Sequence, residues 1–479
     1  MLAPESSARA NPLAPPWLEV PGDANELARH VWPSGAGRAD DGVLTIAGHR
    51  ATELAERYGT PLYVVDEADA RGRARRIRTA LEGAFAAVGG TARVYYAGKA
   101  FLSTGIARWM REDGLNLDVA SGGELAVALR GGMPAARIGV HGNNKSDAEL
   151  RAAVEAGVGA IVLDSLQEVA RLARISADAG RVQAVRIRVN SGVHASTHAY
   201  LATAHEDQKF GIPLAEVDAV AADVRGHASL RFLGLHTHIG SQIFDGAGFR
   251  ESARRLLEAH ARLLAGGDVP ELNLGGGFGI AYTAADRPRP IEGIADDLAR
   301  FVADECARLG VEQPTIAFEP GRAIIGPAGL TIYRVGTTKP VTVQTGTGEW
   351  AERLYVSVDG GMSDNVRPAL YDADYTVRLG NRATDAKPAL VRVAGKHCES
   401  GDLVVLADYL PGDVRPGDLA VVPATGAYCF SLASNYNWLE RPGVLALREG
   451  EVEWLIRPET IDDLLARDPG AGAARDIRA

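Results

Sequence analysis

The stretch 93-RVYYAGKAF-101 sets an apolar run, Val94 to Ala97, directly against a glycine and then a lysine. The run has the length and the aromatic and β-branched content of a short buried strand. A lysine at the end of such a strand either snorkels to solvent or is bonded to something. Seven further runs of the same kind follow: 115-LNLDV-119, 137-RIGVH-141, 159-GAIVL-163, 184-AVRIRV-189, 231-RFLGLH-236, 271-ELNLG-275 and 315-TIAFE-319. Helical patterns lie between them, such as 122-GGELAVALRGG-132, 165-SLQEVARLARISADAG-180 and 249-FRESARRLLEAHARLLAGG-267. Eight short β-rich runs alternating with helices argue for an α/β fold, a parallel (β/α)8 barrel of the TIM type. An open doubly wound sheet would carry a Gly-rich fingerprint after its first strand, and none stands there.

Upstream of the barrel lie the strand-like runs 43-VLTIAG-48 and 62-LYVVD-66, with a helical stretch, 51-ATELAERYG-59, between them. Residues 1–40 are rich in Ala, Pro and Gly without a sustained period, which predicts a loosely ordered arm. After about residue 325 helical patterns nearly vanish. Runs such as 330-LTIYRVG-336, 354-LYVSVDG-360, 389-ALVRVAG-395, 403-LVVLADY-409, 418-DLAVVPA-424 and 452-VEWLIRP-458 are separated by Gly, Pro and Asp turns. They predict an antiparallel β-domain, a sandwich or barrel. The expected division is an arm at 1–40, a segment at 41–65 joining the β-domain, a barrel at 66–322 and the β-domain at 323–479.

The 479 residues are enough for two domains with sizeable cores. A net charge of −10 without a basic block argues against a nucleic-acid or anionic-membrane partner. Cys306, Cys398 and Cys429 form neither a close pair nor a metal-ligand pattern, which suits a reducing compartment. No apolar run is long enough to span a bilayer, and the first residues lack the features of a signal peptide. A cytoplasmic location is the expectation.

In such a barrel the reactive groups sit at the C-terminal ends of the strands. Those ends carry Lys99, Asp118, His141, Asp164, Asn190, His238, the glycines 275–277 and Glu319. A Schiff base between Lys99 and an aldehyde cofactor would turn a burial problem into a catalytic centre. The loops 273-NLGGGFG-279 and 319-EPGRAI-324 follow strands seven and eight, where barrels often hold phosphate on glycine amides; GGG is also what a tight turn needs. Glu319 needs a cation to stay ionised near the core. A protonated pyridine nitrogen or a salt bridge to Arg322 would serve.

The segment 236-HTHIGSQ-242 puts two histidines at the end of strand six, but no carboxylate or third histidine stands at helpful spacing for a metal. Stacking of His238 on a flat ring and a satisfied core histidine remain the two readings. Ser241 is placed to bond a phosphate or a loop amide. In the β-domain, 397-HCESGD-402 sets a thiol beside carboxylates, a setting for a tuned proton donor or for an inert buried cysteine. Arg367 and Tyr371 in 364-DNVRPALY-371 could clamp a carboxylate, and Tyr428 in 425-TGAYCFS-431 offers a ring and a hydroxyl.

Read in order, YAGKAF, HGNNKS, EDQKFGI, HTHIGSQ, NLGGGFG, EPGRAI, SVDGGMSDNVRPALY, CESGD and ATGAY resemble the fold-type III pyridoxal-phosphate decarboxylases, relatives of alanine racemase. The resemblance runs from about Thr52 to about Leu465. CESGD directs it to the branch acting on diaminopimelate, because ornithine decarboxylases carry a different cysteine loop. The resemblance implies decarboxylation of meso-2,6-diaminopimelate to L-lysine, the last step of lysine biosynthesis by that route, with pyridoxal 5'-phosphate as cofactor.

It further implies that Lys99 carries the cofactor and His238 stacks on its ring, with Glu319 on the pyridine nitrogen. Asp118, Ser241, Gly276, Gly277, Gly321, Arg322 and Tyr428 would complete the cofactor site. Arg322, Arg367, Tyr371, Glu399 and Tyr428 would bind substrate, and Cys398 would donate the proton. In that family Cys398 and Glu399 come from the partner subunit, which implies a homodimer with shared sites. A racemase would set arginine where Glu319 stands. The arm and 344-QTGTGEW-350 fall outside the recognisable pattern.

Overall fold

Burial at every position from Val94 to Ala97 makes this run a strand with both faces covered, as a parallel barrel demands. The computed structural model describes residues 11–193 and 209–471. Eight strands form one all-parallel sheet: β1 Ala92–Ala97, β2 Asn116–Val119, β3 Ile138–Val140, β4 Ala160–Leu163, β5 Gln183–Asn190, β6 Leu230–His236, β7 Glu271–Asn273 and β8 Thr315–Phe318. The register closes the ring, with Ile161 opposite Val185 between β4 and β5, and Phe318 opposite Val94 between β8 and β1. Closure leaves none of these eight strands as a free edge. The expected barrel is therefore present.

Serines mark where the loops after β1, β2 and β3 turn into helices. Ser103, Ser121 and Ser146 accept hydrogen bonds from the backbone N–H groups of Ile106, Glu124 and Glu149. Each side-chain oxygen satisfies one orphan donor of a helix start, and Glu149 completes a capping box. The loops that carry reactive groups are thereby short and fixed at their far ends.

Inside the barrel a charged group joins three strands. Arg186 of β5 donates to Glu271 of β7 at 2.8 and 3.0 Å and to the Tyr95 hydroxyl of β1 at 2.8 Å, while Arg93 reaches the other Glu271 oxygen at 2.5 Å. The Arg186 side chain is 2% exposed, so truncating its partner would strand a buried charge. Glu271→Ala should cost about 3–5 kcal/mol. Thermal melting should fall by about 10 °C. A melting temperature within 2 °C or so of the parent would show that the group adds nothing to the barrel.

The chain divides into two compact units, one of Arg71–Ile280 with Arg287–Ile324, the other of Met1–Ala70, Ala281–Asp286 and Ile325–Ala479. The second unit is built on β9 Gly329–Gln344, β10 Trp350–Val358, β11 Pro388–Ala394, β12 Leu403–Pro411, β13 Leu419–Pro423, β14 Val444–Arg448 and β15 Glu451–Ile456. It is not purely antiparallel, as the sequence led us to expect. β10 and β11 run parallel, and the strand Leu62–Asp66 lies antiparallel to β9 but parallel to β14. Parallel neighbours need a long crossover rather than a hairpin. The segment between β10 and β11 provides one, and Leu62–Asp66 arrives from far upstream.

Nor are residues 11–40 loosely ordered. Val31 and Trp32 are buried in a core with Leu44, Ile46, Leu62, Val64, Leu330 and Leu445. Arg38 donates to the carbonyls of Asn25, Gly42 and Leu379 at 2.8–3.1 Å, which satisfies chain that forms little regular structure. The segment 344-QTGTGEW-350 forms the turn between β9 and β10.

Candidate active site

The ends of β1, β2, β3, β6 and β8 surround a cavity of about 120 Å³ lined by Lys99, Asp118, Glu124, His141, Arg188, Phe210, His236, His238 and Glu319. Lys99 sits in a single 3-10 turn, Gly98–Ala100, directly after β1. The Tyr96 hydroxyl donates to the Phe101 carbonyl at 2.6 Å and so fixes the far side of that turn. Lys99 is exposed because its side chain enters the open cavity. Desolvation by the surrounding protein lowers its pKa, and the negative charge of Glu319 offsets part of the shift. A larger neutral fraction makes the amine a better nucleophile.

Glu319 follows β8 and is buried. Asn273 of β7 donates to its Oε1 at 2.7 Å, and the Nε2 atoms of His236 and His141 lie 3.0 and 3.4 Å from the same oxygen. Its contacts thus run to β7, β6 and β3, not to Arg322. Burial pushes the carboxyl up, but the two imidazoles outweigh it and hold Glu319 well below the usual carboxylate range. Asp118 is affected in the opposite sense. Burial and the Glu319 charge push it well above its ordinary value, with Arg186 and Lys99 opposing the shift. Burial lowers His141 and His236 to about 4, against the upward pull of the Glu319 charge.

His238 presents its ring to the cavity and is held from behind, its Nδ1 accepting from the Gly276 amide at 3.2 Å. In the neutral ring the proton is therefore on Nε2. Burial also pulls His238 well below its ordinary value, so the imidazole is uncharged.

The glycine loop has a packing reason of its own. A Cβ at Gly276 would meet the Glu319 carbonyl oxygen at 2.1 Å, and one at Gly277, where φ is +114°, would meet the Gly240 oxygen at 2.5 Å. Gly321 is similarly pressed against the Ala97 carbonyl oxygen, 2.9 Å from where its Cβ would be. These contacts bring backbone amides close to the barrel mouth. Arg322 donates to the Ser241 hydroxyl at 2.8 Å, which joins the loops after β6 and β8.

The barrel therefore gathers Lys99, Asp118, His238, Ser241, Gly276, Gly277, Glu319, Gly321 and Arg322 at one end. The other expected residues, Arg367, Tyr371, Cys398, Glu399 and Tyr428, belong to the β-unit. Arg367 opens a short helix, Arg367–Tyr371, and is 5% exposed, while Tyr371 is 62% exposed. The Cys398–Glu399 turn is exposed and shaped by Asp402, whose carboxylate accepts from the amides of His397 and Met362 at 2.7 and 2.6 Å. Tyr428 holds a φ of +60°, a strained value for a residue with a side chain, and such strain tends to cluster at functional sites.

Sequence reasoning placed His141 at a strand end and paired His236 with His238 without giving either a partner, and it did not single out Asn273, Glu124 or Arg188. Asn273 stood in the quoted glycine motif, but its partner is 46 positions away. His141, His236 and Glu319 also bring three ligand-type atoms within 4.8 Å of one another, a spacing hidden in the sequence.

A lysine amine, a flat neutral imidazole and an ionised carboxylate around one cavity are the donor set that a pyridoxal group requires, so the residues fit it. Residues 72–326 match the family "Pyridoxal-dependent decarboxylase, pyridoxal binding domain". The chain is 52% identical to the diaminopimelate decarboxylase of Mycobacterium leprae, covering 93% of each chain. It is 48% identical to that of Corynebacterium efficiens over 94% of this chain and 97% of the relative. The crystal structure of diaminopimelate decarboxylase from M. jannaschii in co-complex with L-lysine superposes with a TM-score of 0.83 at 30% identity, over 91% of this chain and 98% of that one. No helix among the described residues is long and apolar enough to cross a membrane. The chain belongs to the pyridoxal-dependent decarboxylases, in their diaminopimelate decarboxylase family.

Proposed function

We propose that this chain decarboxylates meso-2,6-diaminopimelate to L-lysine and CO2 with pyridoxal 5'-phosphate, the last step of lysine biosynthesis by that route. The observation that carries the reading is the pairing in one cavity of an accessible lysine with a buried carboxylate held ionised. When bound, the cofactor supplies an aldehyde that condenses with amines and a ring that takes up the electron pair left by CO2.

The protein's share is binding, charge and proton control. Lys99 would hold the cofactor through its amine, which lines the cavity. Glu319 keeps a proton on the ring nitrogen, because an ionised carboxylate in a desolvated site favours the cation beside it. His238, which lines the cavity with its pKa drawn down by burial, would hold the flat ring without opposing that charge. Asp118 lines the same cavity, its carboxyl pushed upward by burial and by the Glu319 charge. Amides of Gly276, Gly277 and Gly321, with Ser241 and Arg322, would hold the phosphate.

Arg322, Arg367 and Tyr371 read the carboxylate that is retained, Glu399 meets the distal amine, and Tyr428 touches both ligands. Cys398 delivers the proton to the carbon that loses CO2, from the partner subunit of a homodimer. The exposure of Cys398 and Glu399 on their own domain supports that arrangement, as do the exposed Leu370, Tyr371, Tyr436 and Trp438, with Tyr436 stacked on His397.

Release of CO2 with formation of lysine from meso-diaminopimelate, run against a panel of other amino acids, tests the reading directly. Turnover of ornithine or arginine in preference to diaminopimelate would overturn it. Arg367→Met, and separately Arg322→Met, should weaken diaminopimelate binding by about 1.5–3 kcal/mol, the usual worth of a hydrogen bond to a charged group. An unchanged KM in both variants would move the substrate towards amino acids with a single carboxylate.

A further inference from the structure

Arg367 is a buried cation with an unusual set of neighbours. Its Nη1 donates to the Tyr375 hydroxyl at 2.5 Å, and its guanidinium lies 4.6 Å from the ring centre of Tyr282 and 5.6 Å from that of Tyr375. The two rings stand edge to face, 5.1 Å apart at 76°, and form a corner around it. Tyr375 is 1% exposed and Tyr282 5%. No carboxylate among the described residues comes within the 4.0 Å of an ion pair, and the groups acting on the Arg367 charge are Tyr375, Tyr282 and the Cys429 thiol.

Elsewhere in the same unit, the buried Arg378 and the part-buried Arg382 are neutralised. Arg378 pairs with Asp408 at 2.9 Å, and Arg382 pairs with Asp418 at 2.8 Å. Ring faces and a phenol oxygen stabilise a guanidinium without cancelling its charge. A desolvated and uncancelled cation attracts an anion far more strongly than one already paired.

We propose that Tyr375 and Tyr282 are specificity-determining positioning residues, a neutral seat that orients Arg367 and keeps its charge available for the carboxylate of the substrate. This rests on the reading of Arg367 given above. Tyr375 is itself anchored, its hydroxyl 3.6 Å from the Cys429 sulfur, which in turn contacts Asn365 Oδ1 at 3.5 Å. The Tyr375 oxygen is therefore held on both sides, and the guanidinium has one preferred direction.

The seat acts on ligands that carry the retained carboxylate and not on those lacking it. Lysine and 1,5-diaminopentane differ by that group alone, so the pair isolates the effect. Inhibition constants of both should be measured on the cofactor-loaded enzyme and on Tyr375→Phe and Tyr282→Leu, with melting curves to verify folding. Tyr375→Phe removes one oxygen from a buried ring and is the milder change. The lysine constant should rise about tenfold in each variant, since Tyr375→Phe loses a hydrogen bond from a charged donor and Tyr282→Leu a ring face beside a desolvated cation. The constant for 1,5-diaminopentane should stay within about twofold. KM for diaminopimelate should rise with the lysine constant while kcat changes little, as expected when uniform binding is lost.

Equal weakening of both ligands would make the tyrosines merely structural, and no change in either would make the seat idle. Both results overturn the inference. Failure of the parent enzyme to prefer lysine over 1,5-diaminopentane would instead overturn the substrate reading on which it rests.

Discussion

Lys99→Ala should lower turnover by roughly 10⁴-fold or more, because covalent attachment and a positioned proton-transfer group are lost together. The visible absorbance band of the lysine-bound cofactor should vanish in the same variant. Lys145 cannot substitute. Its ammonium is held by Glu168 at 2.9 Å and by the carbonyls of Gly142 and Val162, and it does not line the cavity. Absorbance spectra before and after dialysis against pyridoxal phosphate, with a CO2-release assay, check both parts. A variant that kept the band or more than about a hundredth of the activity would remove Lys99 from the centre of the mechanism.

Cys398→Ala should be nearly as damaging, by roughly 10²–10⁴-fold, the range for loss of a positioned proton donor. Cofactor binding should survive, since the exposed turn that carries the thiol belongs to the β-unit. The two inactive variants can then be dissociated, mixed and reassembled. If each site takes Lys99 from one subunit and Cys398 from the other, a hybrid dimer has one site with both residues and one with neither. Random pairing of equal amounts restores roughly a quarter of all sites. Mixtures that contain hybrids by mass yet stay inactive would rule out sharing of these two residues across a dimer.

The eight barrel strands were legible because each is an apolar run with a helix after it, and the repeat leaves one architecture. Closure between Ile161 and Val185 was not readable, since register depends on every intervening loop. Val31 and Trp32 sit in a stretch without period, so only their burial in the finished core reveals that residues 11–40 are ordered. The parallel neighbours of the β-unit escaped because strand runs carry no label for their direction.

At the site, Lys99, Asp118, His238 and Glu319 stood out by their places at strand ends. Asn273 and His236 did not, because their roles consist of contacts to Glu319. The sequence offered no carboxylate near the histidine pair. The fold brings one from the end of β8, two strands along the ring. Charge state was also out of reach of the sequence. Asp118 and Glu319 are both strand-end carboxyls, yet their surroundings in the fold shift them in opposite directions.

The place of Leu62–Asp66 between β9 and β14 has a consequence for how the protein is made. The barrel unit lies almost continuously in the chain, so on the ribosome it can fold as it emerges. The strand made before it has to wait, because neither of its sheet neighbours has yet been translated. At about 5–20 residues per second the delay before β14 appears is on the order of tens of seconds. An apolar strand with both edges unpaired until β9 emerges, and with one until β14 does, is a target for other nascent chains. Expression at lower temperature, or with abundant chaperone, should therefore raise soluble yield more for this chain than for one whose β-domain is encoded in a single block.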